Sequence, residues 1–208
     1  DEYEKFSEKD AKIIRDWVTG IEKNIRKRAT SLDHQIAVAT THILWGAASK
    51  DETFFKKGQK GMMSFLNKAK KNGKIADDVR NNNEVMHHLV QGAEVLELNG
   101  VNIYSKVFND LTLHKIVENH ANNVLDVGNK KTKTSGDMHD RARSIMRSQG
   151  YGTHIAWVPI YLKRFKNLKS SNAVIELRQE LREKYGDFKP FFGQQIAINT
   201  SCYYGDEI

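Results

Sequence analysis

The chain has 208 residues, enough for one well-buried core or two small lobes, and 39% of them are hydrophobic. It carries 33 Lys and Arg against 26 Asp and Glu, a net charge of +7, which favours a polyanionic partner, nucleic acid before anionic membrane. A lone cysteine, Cys202, excludes an internal disulfide and fits a reducing intracellular compartment or a virion, and no apolar run is long enough to cross a bilayer.

Two prolines, Pro159 and Pro190, and apolar residues recurring with a 3.6-residue period predict an all-α chain of about seven to nine helices. Ser7 and Asp10 predict a cap for a first helix over 8–28, whose apolar stripe is Ile14, Trp17, Val18, Ile21 and Ile25. Trp17 and Trp45 are expected in the core. Ser31 or Asp33 caps a second helix with Ile36, Ala39, Ile43 and Ala47 inward and Gly46 at a close contact or near its end.

From Lys56 to Lys74 seven lysines occur without one acid, and Met62, Phe65, Leu66 and Ala69 recur among them at helical spacing. This predicts an amphipathic basic helix bearing Lys68, Lys70 and Lys71. A turn is expected over 77–83, then a helix over 84–98 with Val85, Leu89, Ala93 and Leu96 inward and Asn99-Gly100 as its stop. The segment 101–108 suits strand or helix. Asp110 or Thr112 caps a helix running through Leu125, with Leu113, Ile116, Val117, His120 and Val124 on one side. Residues 128–136 contain no apolar side chain and suggest a mobile loop, dividing an N-terminal part (1–127) from a basic C-terminal part (128–186). Pro159 belongs in the first turn of one helix, and Ser171 opens another with Val174, Leu177 and Leu181 inward. Residues 187–208 are aromatic-rich and aperiodic, and form an apolar tail that must pack on its own domain or on a neighbouring copy.

The segment 128–169 holds ten Lys and Arg against Asp137 and Asp140, interleaved with aromatics. Cations neutralise phosphates and exposed rings stack on bases. The candidate contacts are Lys68, Lys70, Lys71, Lys130, Lys131, Lys133, Arg141, Arg143, Arg147, Tyr151, Tyr161, Lys163, Arg164 and Lys166. These residues predict a sequence-tolerant nucleic-acid binder, RNA favoured, without a cofactor. By analogy of class, all-α basic chains coat nucleic acid in several virus groups, and self-association through 187–208 would suit that role.

No spacing among the eight histidines matches a zinc signature, and no nucleophile or phosphate-cradling motif is present. The run Arg80-Asn81-Asn82-Asn83-Glu84-Val85-Met86-His87 resembles the loose Arg-x4–6-His pattern of HEPN-type ribonucleases, all-α domains that cut RNA without metal; Arg147 to His154 matches it as well. The resemblance implies His87 as general acid/base and Arg80 as stabiliser of phosphate charge. A structural or protein-interaction module is the remaining alternative.

Overall fold

The structure, a computed structural model, describes residues 7–28, 31–73, 75, 79–129 and 157–185. Its elements start and stop where local hydrogen bonding dictates. Helix α1 (Glu8–Arg28) opens on Ser7, whose hydroxyl accepts from the Asp10 amide at 3.2 Å and donates to the Asp10 carboxylate at 2.6 Å. Helix α2 (Leu32–Ser49) ends at Lys50, in the left-handed region at φ 55°. Helix α3 (Glu52–Leu66) opens on Asp51, whose Oδ1 accepts from the Thr53 and Phe54 amides at 3.0 and 3.1 Å.

Helix α4 (Val79–Leu98) closes in a Schellman motif: the Val101 amide donates to Leu96 O, the Gly100 amide donates to Glu97 O, and Gly100 sits at φ +77°. Strands β1 (Val107–Phe108) and β2 (Leu111–Thr112) form an antiparallel hairpin with Val107 opposite Thr112 and Phe108 opposite Leu111. Its two-residue turn takes Asn109 and Asp110 at φ 46° and 68°, the positive values a primed turn requires. Thr112 Oγ1 accepts from the Lys115 amide and opens helix α5 (Leu113–Asn129). Helix α6 (Trp157–Phe165) carries Pro159 in its first turn, where the missing N–H costs nothing. A 3-10 turn (Lys169–Ser171) leads into helix α7 (Asn172–Tyr185).

The described residues are thus predominantly helical. Helix α4 packs against α2, α5 and α6; α3 packs against α2, and α7 packs against α5 and α6. The predicted inward residues of α2, α4 and α5 (Ile36, Ala39, Ile43, Val85, Leu89, Ala93, Leu96, Leu113, Ile116, Val117 and Val124) are buried together in one cluster, except Ala47, which is half-buried. Trp157, Ile160, Val174 and Leu177 join the same cluster, so residues on both sides of the expected division at 127/128 share a core. No helix among the described residues is long and apolar enough to cross a membrane.

Four expectations are revised. The basic helix stops at Leu66, and 67–73 fold back as a turn that buries Ala69 and ends on Gly73 at φ +78°. The expected turn over 77–83 is mostly helix, because α4 starts at Val79: Asn82 Oδ1 accepts from the Ile75 amide and Asn83 is engaged by two neighbouring helices. Residues 101–106 are irregular, and only the hairpin is strand. Trp17 is 66% exposed rather than core. Its helix is held at the other end, where Glu22 Oε1 accepts from His42 Nε2 at 2.9 Å and Lys57 Nζ at 2.8 Å. Burial pushes the Glu22 carboxyl upward, but the hydrogen bonds and charges of Lys57 and His42 outweigh it and hold its pKa below the usual range.

Helices α2 and α3 approach through glycine. A Cβ at Gly46 would lie 2.3 Å from Phe55 N, and one at Gly58 would lie 2.6 Å from Ile43 N. Both obstacles are backbone, which cannot swing away. Gly46→Ala and Gly58→Ala should each lower stability by about 1–3 kcal/mol in chemical denaturation. Gly20→Ala, where a Cβ meets nothing within 4 Å, should instead raise it by up to about 1 kcal/mol. Equal effects at the three positions would contradict the close crossing.

Candidate nucleic-acid interface

The lysine turn comes first. Lys68, Lys70 and Lys71 are exposed around the buried Ala69. Two contacts fix the turn's backbone: Asn109 Nδ2 at the hairpin tip donates to Ala69 O at 2.6 Å, and Asn119 Nδ2 of α5 donates to Asn72 O at 3.2 Å. Lys68 Nζ also donates to Gln35 Oε1. The hairpin brings a further cation to this region, Lys106, whose Nζ lies 3.7 Å from Met63 Sδ and 5.9 Å from the Phe108 ring centre. Lys106 is absent from the residues singled out by sequence, since nothing local marks a lysine whose neighbours arrive through a turn.

The segment before the hairpin reaches α6 through aromatic packing. Tyr104 meets Phe165 edge-on at 4.6 Å between centroids, stacks on His114 at 5.2 Å and lies 5.9 Å from Tyr161. Tyr161 is fully buried and its hydroxyl pairs with His114 Nδ1 at 2.9 Å. It is therefore not a stacking platform for bases; its amphipathic ring serves the core, where a buried phenol finds a partner. Burial raises the pKa of both phenols and lowers that of His114.

The cations of α6 divide by role. Arg164 makes a two-pronged pair with Glu94 of α4, Nε to Oε2 at 2.8 Å and Nη2 to Oε1 at 2.7 Å. Those hydrogen bonds raise its pKa and fasten α6 to α4. Lys163 and Lys166 are exposed. Lys166 borders a groove of about 560 Å³ between α6 and α7, lined also by Leu162, Asn167, Ile175, Arg178, Gln179, Arg182 and Glu183. Arg178 and Arg182 do not stand out in the sequence, although their spacing of four on a helix places both on one face.

Compared with protein-family models, curated proteins and solved structures, the chain matches none. Its geometry has to carry the functional argument. Lys130, Lys131, Lys133, Arg141, Arg143, Arg147 and Tyr151 lie outside the described residues, as do the Asp137–Asp140 cluster, the second Arg–His match and the tail over 187–208.

The alternative catalytic pair lies on α4. Position 80 shares a helix face with His87, but the Arg80 side chain lies outside the described residues. His87 is 5% exposed and meets the His88 ring edge-on at 5.6 Å. A general acid/base must come within hydrogen-bond reach of its substrate, and in this structure the His87 imidazole is buried in the bundle. One turn earlier, Asn83 Oδ1 accepts from His120 Nε2 at 2.6 Å and from Trp157 Nε1 at 3.4 Å, tying α4 to α5 and α6. Burial alone pushes the His120 pKa down to about 3. Among the described residues no three His, Cys, Asp or Glu side chains converge on a metal position.

The His120 environment has a stability consequence with a definite sign. Below pH 6.5 the unfolded chain takes up a proton on this imidazole that the folded chain refuses until about pH 3. Stability should therefore fall as pH drops through that window, with this group contributing a slope approaching about 1.4 kcal/mol per pH unit. His120→Gln should remove that part of the slope in denaturation measured between pH 7 and pH 4. An unchanged slope would place the ring in contact with water.

Proposed function

We propose that this chain holds nucleic acid, RNA in the first instance, without reading its sequence. The supporting observation is that segments bearing exposed cations, far apart in the chain, are joined by side-chain contacts. Contacts through the hairpin and the Tyr104–Phe165 pair link the turn of Lys68, Lys70 and Lys71 to Lys106 and to the α6 end that carries Lys166. Beyond Lys166 lie Arg178 and Arg182 of the groove. Phosphate neutralisation is indifferent to base identity. The net charge of +7 acts in the same direction. A coat-type role, with copies linked along the nucleic acid by residues 187–208, is the extension of this reading that the aperiodic aromatic tail supports.

Titrating labelled RNA of several sequences against rising KCl tests the reading. Affinity should fall steeply with salt and vary little with sequence. Replacing Lys68, Lys70 and Lys71 by Ala should lower the log–log salt slope by up to about two, at roughly 0.7 for each single-strand phosphate that is no longer neutralised. Strong sequence preference, or no binding at low salt, would reject it.

A further inference from the structure

We infer that the groove between α6 and α7 receives one unpaired nucleotide, its base on an apolar floor and its phosphate at the cationic rim. The inference rests on the nucleic-acid reading and narrows it to single strands. Three features of the groove support it.

The first is size. At about 560 Å³ the recess is far larger than a phosphate needs. It falls within the roughly 300–1,000 Å³ that encloses a small organic ligand, a class that includes a mononucleotide.

The second is the floor. Leu162 is buried, whereas Ile175 is 41% exposed and opens into the same recess. A site for phosphate alone gains nothing from such surface. A base laid on it removes two apolar faces from water at once, without hydrogen bonds that would select its identity.

The third is charge. Among the residues lining the groove, Lys166 from α6 and Arg178 and Arg182 from α7 are cations, and Glu183, which accepts from Gln179 Nε2 at 3.0 Å, is the carboxylate. The balance of the lining is therefore cationic. The guanidinium groups, one helical turn apart, suit the oxygens of a phosphate bridging two nucleosides. A duplex could offer the rim its phosphates but not the floor its bases, which remain stacked inside.

Competition on the full chain separates a nucleotide site from a phosphate site. A short labelled single-stranded RNA is displaced with AMP or with ribose 5-phosphate, and the binding of each competitor is also followed directly by NMR shifts. AMP should compete at roughly tenfold lower concentration, the gain expected from burying about 50 Å² of apolar surface between the base and the floor. Ile175→Ser should remove that preference while leaving ribose 5-phosphate binding unchanged, which also reports that the variant is folded. The double variant R178Q/R182Q should weaken both competitors. Equal binding of AMP and ribose 5-phosphate, or a preference that survives Ile175→Ser, overturns the nucleotide site but leaves salt-dependent RNA binding standing. Failure of the labelled RNA to bind at low salt rejects the functional reading itself, and with it this inference.

Discussion

The burial of α4 is the constraint on which the other helices depend. Residues 85–93 are buried without interruption, so this helix has no solvent face along its middle. A helix enclosed on all sides must satisfy its polar side chains inside the protein. The Asn83 Oδ1 does so by receiving the imidazole of α5 and the indole of α6. The His88 carbonyl accepts from the Thr40 hydroxyl of α2 at 2.8 Å, and Glu94 at the outer end takes the Arg164 fork of α6. Each bond joins α4 to a neighbouring helix, so the polar groups of the central helix set the positions of α2, α5 and α6. Apolar packing alone would leave those positions freer to slide, because it is non-directional.

This arrangement also sorts the ionisable groups. His120, drawn into the centre, loses the ability to change charge near neutral pH. The lysines are displaced to the rim, where their ammonium groups stay hydrated while their stems cover apolar surface. Arg164 and Lys166, two residues apart, illustrate the division: one is committed to a carboxylate of the central helix and the other faces a groove.

Much of the fold was legible because its signals are local. The Ser7–Asp10 cap, the Asn99-Gly100 stop and the inward residues of α2, α4 and α5 follow from hydrogen-bond chemistry within a few residues and from helical periodicity. The misreadings share a different cause. Trp17 lies in an amphipathic stripe, and periodicity says which face is apolar but not whether anything covers it. Asn82 and Asn83 look like turn residues by propensity, and become helical because partners outside their own helix satisfy their side chains. Tyr161 among cations resembles a stacking platform until the fold supplies His114 for its hydroxyl. The candidate interface was legible only in part for the same reason: Lys68, Lys70, Lys71 and Lys166 stand in visibly basic runs, whereas Lys106 acquires its setting only through the hairpin.

The sequence by itself determined the all-α class, most helix boundaries and the cationic excess, since these depend on composition, on caps and on a period that each segment carries alone. Tertiary structure alone decided which polar residues are buried, that Arg164 binds Glu94, and that Arg178 and Arg182 share a recess with Lys166. The reason is physical. Burial and electrostatic pairing belong to two surfaces in contact, and the identity of the second surface is written nowhere near the first.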